Sequence, residues 1–173
     1  MTMKNAIVAL VLTTCFAAGT AFASDADILR EAKDRADIAQ LMWNYCRALD
    51  TLNEDAYASA YTEDGEFSSG SAIPATKGRA ALKKMVADLK KQRVEREAKG
   101  EPKRPPMRHI ITNSHIEFID KDHARYHSYW MTVFEGVGRQ VKPDVAAAGR
   151  GLDELVRVNG KWLIKKRDVQ PKD

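Results

Sequence analysis

Histidine is the side chain best suited to acid–base chemistry near neutral pH, because its ordinary pKa lies closest to neutrality. The 173-residue chain has four histidines, and they are His109, His115, His123 and His127. They are spread over two predicted strands and the turn between them, and no cysteine or glutamate completes a set of metal ligands. We therefore expect no metal site, and we consider a histidine that works with a carboxylate instead.

Cofactor and nucleic-acid signatures are absent from the sequence. It contains no Gly-rich phosphate loop and no Gly-x-Ser-x-Gly motif, so a nucleotide cofactor and serine hydrolysis lack support. The net charge of +4 is mild, and the basic residues concentrate in residues 77–108, where no aromatic residue occurs. Nucleic-acid sites usually combine basic and aromatic side chains. The sequence predicts a protein that needs no cofactor and binds no nucleic acid.

The N-terminus has the three parts of an export signal. Lys4 supplies the positive charge, residues 6–18 are uncharged and apolar, and Ala21-Phe22-Ala23 fits the small-x-small cleavage pattern. We expect cleavage before Ser24 and a periplasmic or secreted protein without membrane attachment.

Cleavage would leave residues 24–173 as the working protein. This length is typical of one domain with its own core. Removal of Cys15 would leave Cys46 as the only cysteine, so no internal disulfide is expected.

Hydrophobic periodicity predicts helices first and an antiparallel meander after them. Ile38, Leu41 and Tyr45 recur at helical spacing, and Asn159-Gly160 is a strong hairpin signal. This order of elements is typical of an α+β fold with a curved sheet and a pocket. The predicted helices cover residues 26–50, 54–61 and 78–98, and the predicted strands cover residues 66–69, 107–119, 123–135, 147–158 and 161–169.

Four motifs in order resemble the SnoaL-like proteins of the nuclear-transport-factor-2-like superfamily. They are DIAQLMWNYCRALDTLNEDAYASAYTEDGEF, KGRAAL, RHIITN and GRGLDELVRVNGKWLIKKRDV. The resemblance covers about residues 34–169, nearly all of the predicted mature chain. It implies a cone-shaped, curved antiparallel sheet packed against three N-terminal helices that enclose a pocket.

The resemblance also implies which residues do the chemistry. In the dehydratases of this superfamily, the acid–base groups are an Asp at the end of the first helix, a His on the strand after the third helix and pocket tyrosines. Asp50, His109 and Tyr45 hold these places here. A His can remove or deliver a proton, a carboxylate can orient it, and a phenol can bind a substrate oxygen as charge develops.

Further residues on the strands are predicted to contact the substrate. Asn113 follows His109 by four residues, which is the same face of a straight strand. On the penultimate strand, Asp153 would face the pocket, whereas Arg150 would need a bulge to reach it. The predicted substrate-binding residues are Asn113, Ser69, Tyr129, Met131, Arg150 and Asp153.

The sequence therefore predicts a cofactor-independent lyase, such as a dehydratase or a retro-aldol enzyme. Its substrate would be a small, hydrophobic, hydroxylated compound that is aromatic or polycyclic. An isomerase would use the same proton chemistry, and a non-catalytic periplasmic binding or assembly module is the alternative from another class. A separation of Asp50 and His109 beyond about 8 Å would favour the binding module. The resemblance also implies a homodimer.

Overall fold

The computed structural model describes residues 24–70, 74–136 and 141–172, and the predicted export signal lies outside these residues. Helices come first and most strands follow, as expected for an α+β fold. The helices are α1 (Asp25–Asp50), α2 (Glu54–Ser59) and α3 (Arg79–Ala98); the strands are β1 (Tyr61–Ser68), β2 (Thr76–Lys77), β3 (Met107–Phe118), β4 (His123–Phe134), β5 (Asp144–Val158) and β6 (Lys161–Asp168).

The six strands form one curved sheet in the order β2-β1-β6-β5-β4-β3. Strands β3 to β6 form the predicted antiparallel meander. The sheet is mixed, however, because β1 pairs in parallel with β6. The expectation of a purely antiparallel sheet was wrong at this single pairing, which joins the first long strand to the last.

The first strand is also longer than predicted. The sequence indicated a helix up to residue 61 and a strand from residue 66, but α2 ends at Ser59 and β1 begins at Tyr61. Pairing with β6 causes this change. Tyr61 lies opposite Ile164, and the Ile164 backbone N–H donates to the carbonyl oxygen of Ala60 at 2.9 Å.

The helices pack on one face of the sheet and bury the main core there. Ile38, Met42 and Tyr45 of α1 meet Leu82 of α3 and Ile164 of β6 in one hydrophobic cluster. Side-chain caps stabilise the N-termini of α1 and α2. Ser24 accepts a hydrogen bond from the Asp27 backbone at 3.2 Å, and Asn53 accepts one from the Ala56 backbone at 3.0 Å.

The helices described by the structure are amphipathic or highly charged. None of them combines the length and the apolar character that a membrane crossing requires.

Candidate active site

Asp50 lies in the last turn of α1, at the point where the helix ends. Thr51 is the C-cap, and Leu52 has a left-handed conformation with φ of 50° that turns the chain away. The Asn53 backbone N–H then donates to the carbonyl oxygen of Ala48 at 2.8 Å. A carboxylate at this position faces the negative end of the helix dipole, so it needs hydrogen-bond donors from elsewhere.

Strand β3 supplies these donors through His109. The His109 backbone N–H donates to Oδ1 of Asp50 at 2.8 Å, and Nδ1 lies 2.8 Å from the same oxygen. Arg47 approaches the other carboxylate oxygen at 3.8 Å. The side chains of Asp50 and His109 are only 4% and 18% exposed. The two residues therefore lie within hydrogen-bonding distance, far closer than the limit beyond which a binding module was favoured.

The Asp50 carboxylate orients the imidazole ring. An ionised carboxylate only accepts hydrogen bonds, so the network assigns the hydrogen to Nδ1 and leaves the lone pair on Nε2. Nε2 has no hydrogen-bond partner among the described residues, and the ring lines two cavities. His109 can therefore take a proton from a molecule held in either one.

The larger of these spaces, the outer cavity, has a volume of about 390 Å³. It lies between the end of α1, the second half of α3 and strands β3 and β4, and its walls include Leu52, Leu89 and Phe134. The volume is within the range of small-molecule sites. The ionisable residues that line it are Asp50, His109, Arg93, Arg96 and Arg104.

The inner cavity, of about 190 Å³, lies between α1 and the inner face of the sheet. It shares Leu49, His109 and Thr132 with the outer cavity. Its further lining includes Tyr45, Cys46, Phe67, Ile111, Trp130 and Arg167. His109 thus lies between the outer cavity, which has several charged lining residues, and the more apolar inner cavity.

The structure places Tyr45 in the inner cavity rather than beside Asp50. Its side chain is buried, and its ring packs against Tyr57 and Tyr61 at centroid distances of 5.3 and 6.2 Å. The guanidinium of Arg167 lies 4.6 Å from the ring centroid. Burial raises the pKa of Tyr45, so its phenol keeps its proton and can donate a hydrogen bond.

Arg167 is a residue of the site that sequence reasoning missed. Its side chain is 2% exposed and forms an ion pair with Asp153, which is fully buried. Burial raises the pKa of Asp153 to about 6, and Arg167 opposes this rise. Asp153 was predicted to contact the substrate directly, but it lines neither of the two cavities that His109 lines. It forms the ion pair with Arg167 instead.

Polar atoms of the buried ion pair and of Ser128 lack partners among the described residues. Nε of Arg167, Oδ1 of Asp153 and Oγ of Ser128 make no hydrogen bond there. Buried polar atoms usually find a partner in protein, water or ligand. Arg167, which also lines the inner cavity, is therefore suited to hold a polar atom of a bound molecule.

A bulge explains why the sequence did not reveal Arg167. Simple alternation from Trp162 and Ile164 places residue 166 on the inner face. The pairing with β5 shifts instead, because Leu155 pairs with Ile164 and Glu154 pairs with Lys166. Lys165 is the extra residue, and Arg167 consequently turns inward.

Three predicted substrate contacts lie on the outer face of the sheet. Tyr129 is 54% exposed, Met131 is half-buried, and Arg150 is exposed and lies opposite Tyr129 in the β4–β5 pairing. Neither cavity that contains His109 is lined by them. The expectation that they reach the pocket was wrong, because Trp130 and Thr132 occupy the inward positions of β4.

Asn113 and Ser69 also lie away from both cavities. Asn113 is exposed and has a positive φ of 50° at an irregularity in the β3–β4 pairing, so the strand is not straight after His109. Ser69 follows the last residue of β1 and is half-buried. Phe67 is the residue of this strand that lines the inner cavity.

Glycines on β5 make room for Trp130 at the inner cavity. A Cβ atom at Gly149 would lie 2.8 Å from the indole ring. The indole N–H donates to the carbonyl oxygen of Val169 at 2.9 Å and to that of Arg150 at 3.2 Å. The small residues of β5 therefore hold an aromatic wall in place.

Cys46 is a buried free thiol. Burial raises its pKa to about 11, so the thiolate that would act as a nucleophile is scarce at neutral pH. Among the described residues, no group of three or more His, Cys, Asp or Glu side chains is arranged to hold a metal ion.

The comparison with protein families agrees with the resemblance seen in the motifs. Residues 30–168 match the model of the SnoaL-like domain, and the chain belongs to that family. No curated protein sequence gives a significant match to the chain.

Solved structures share the fold at low sequence identity. A nuclear-transport-factor-2-like protein from Novosphingobium aromaticivorans has 17% identity and a TM-score of 0.67, over 83% of this chain and 84% of its own. A provisionally assigned scytalone dehydratase from the same organism has 22% identity and a TM-score of 0.62, over 82% and 85%. A provisionally assigned aromatic ring hydroxylase, also from that organism, has 22% identity and a TM-score of 0.63, over 80% and 89%.

Proposed function

We propose that the protein is a cofactor-independent lyase that eliminates water, or cleaves in retro-aldol fashion, from a small hydroxylated aromatic or polycyclic compound. The observation that carries this proposal is the His109–Asp50 pair, in which Nδ1 of His109 lies 2.8 Å from Oδ1 of Asp50 and His109 lines both cavities. The SnoaL-like family and a neighbour named as a scytalone dehydratase support it further.

For dehydration, Nε2 of His109 removes a proton from the carbon next to a carbonyl group or an aromatic ring. The electron pair forms the new double bond, and the hydroxyl on the neighbouring carbon leaves with a proton returned by the imidazolium. The products are the alkene and water, and His109 returns to its starting form. Asp50 stabilises the imidazolium between the two proton transfers.

The inner cavity supplies groups that stabilise charge on the substrate. The phenol of Tyr45 and the guanidinium of Arg167 both line this cavity. Hydrogen-bond donors fixed in a shielded site favour the transition state when charge develops on a carbonyl or phenol oxygen. We propose this role for both residues.

The proposed function is tested by product analysis with Asp50→Asn as the variant. Wild-type protein is incubated with hydroxylated ring compounds, and products that have lost water are detected by mass spectrometry. Asp50→Asn is expected to lower kcat by about 10²-fold, because an amide cannot replace the charge that stabilises the imidazolium. The backbone of His109 can still donate to the Asn side-chain oxygen, so the variant should fold.

Two outcomes contradict the proposed reaction. Products of unchanged mass with a shifted double bond identify an isomerase, which uses the same proton transfers without a leaving group. Binding without turnover across the whole set of compounds identifies a binding module.

We also propose a homodimer that buries the outer face of the sheet. Ile110 and Tyr129 are 41% and 54% exposed on this face, and Met131 pairs with Ile110 beside them. A two-fold axis would place this apolar stripe against its own copy.

Tyr129→Glu is expected to give a monomer by light scattering, because it places a charge in the proposed interface. Ile119→Lys, at an exposed position beyond the end of β3, should leave the measured mass unchanged. A wild-type monomer would refute the dimer.

A further inference from the structure

The lining of the outer cavity contains three arginines and one carboxylate, that of Asp50. Arg93 and Arg96 of α3 and Arg104 of the following segment line this cavity together with His109. Chain geometry brings the third arginine to this lining. Gly100 has a φ of 77° and ends the helix, and the prolines of residues 101–106 keep the segment from continuing as helix before β3 begins.

Two of the three arginines already have carboxylate partners. Nε of Arg93 lies 3.3 Å from Oε1 of Glu97, and Arg96 reaches Oε2 of Glu101 at 2.5 Å. Arg104 makes no side-chain hydrogen bond or ion pair with the described residues, although its carbonyl oxygen accepts a bond from Arg93 at 3.5 Å. Arg104 is thus the arginine of this lining that has no carboxylate within ion-pair distance among the described residues, although Glu135 and Asp144 line a neighbouring pocket with it.

The same cavity also has an apolar lining. Leu52, Leu89, Met107 and Phe134 belong to it, so the site combines cationic groups with a hydrophobic surface. Asp50, the carboxylate that also lines the cavity, is 4% exposed and is engaged by His109. A ligand that matches this arrangement has an apolar ring body and an anionic group at one end.

We propose that the substrate carries a carboxylate group. Arg104 binds this group in the outer cavity, and the ring body of the substrate extends towards His109. This inference deepens the proposed function and depends on it for the reaction, but the binding preference can be measured separately. Arg104 is thereby a specificity-determining residue. The guanidinium matches the two oxygens of a carboxylate, which a neutral amide or ester does not offer.

The test compares two probes of matched size and shape, naphthoate and naphthamide, by isothermal titration calorimetry. The wild-type protein is expected to bind naphthoate more tightly than naphthamide. Arg104→Met, which keeps most of the apolar stem, should weaken naphthoate binding by about tenfold and leave naphthamide binding unchanged. Arg125→Met serves as the matched control, because Arg125 is an exposed, ion-paired arginine of β4 outside the cavity.

Equal affinity for the two probes would overturn the proposal, as would unchanged naphthoate binding by Arg104→Met. Weakened naphthoate binding in Arg125→Met to the same degree would also overturn it, because the preference would then reflect overall charge. His109→Ala should still prefer naphthoate. A charge preference without any turnover would refute the lyase alone, whereas turnover of neutral substrates without a charge preference would refute the role of Arg104 alone.

Discussion

His109→Ala is expected to lower kcat for the proposed elimination by about 10³-fold or more, with a loss of stability limited to the Nδ1 hydrogen bond to Asp50, because the bond from the His109 backbone N–H remains. General acid–base catalysis contributes typically about 10²–10⁴-fold, and here one imidazole would both remove and return the proton. The side chain is partly exposed to the cavities, so its removal creates no sealed cavity in the core. Single-turnover kinetics, together with thermal unfolding of the same sample, would check both parts.

Chemical rescue sharpens this experiment. Free imidazole can occupy the space vacated in His109→Ala, because the outer cavity is open, and it is expected to restore part of the rate. His127→Ala is the matched control, since His127 lies on β4 with a half-exposed side chain and outside both cavities. Full activity of His109→Ala would exclude His109 as the acid–base group.

Arg167→Met is expected to lower the free energy of unfolding by about 3–5 kcal/mol, because it leaves Asp153 as an unpaired buried carboxyl group. Loss of the guanidinium also removes the attraction that holds the pKa of Asp153 down, so this pKa rises further above about 6. When a carboxyl group has a higher pKa in the folded than in the unfolded protein, the free energy of unfolding falls as the pH rises through the folded-state pKa. The variant should therefore be less destabilised at about pH 5 than at about pH 8 when measured by urea unfolding.

The double variant Asp153→Leu with Arg167→Met distinguishes the loss of stability caused by an unpaired buried charge from the loss caused by altered packing. Replacement of both partners by apolar side chains of similar volume is often neutral or stabilising, so most of the lost stability should return. Activity should stay low in the double variant, since the inner cavity would still lack its guanidinium. A stable Arg167→Met protein with no pH dependence would contradict the buried ion pair.

The fold and the proximity of Asp50 and His109 were predictable from the sequence for physical reasons. Hydrophobic periodicity predicts a helix over residues 26–50, and α1 ends at Asp50 as expected. His109 comes three residues after Pro106, which forces the chain out of helix and into β3. Asp50 lies at the end of a helix and His109 near the start of a strand that the sequence predicts. The resemblance to the family implied that the two residues share a site, and they lie within hydrogen-bonding distance.

Residues beyond a strand irregularity were not predictable in the same way. Arg167 turns inward only because Lys165 is accommodated as an extra residue of β6, and Asn113 leaves the inner face where the β3–β4 register shifts. Strand alternation has a period of two, so one extra residue exchanges the faces of everything after it. Such shifts depend on pairing between strands, which a single sequence does not display.

Trp130, which forms an aromatic wall of the inner cavity, is an intrinsic fluorescence probe of that cavity. Of the three tryptophans, Trp43 is 60% exposed and Trp162 is 4% exposed in the core, whereas Trp130 faces the inner cavity beside His109. Its emission is therefore the one that responds directly when a molecule fills that space. A chain with Trp43 replaced by Phe would report occupancy of the inner cavity without any added label.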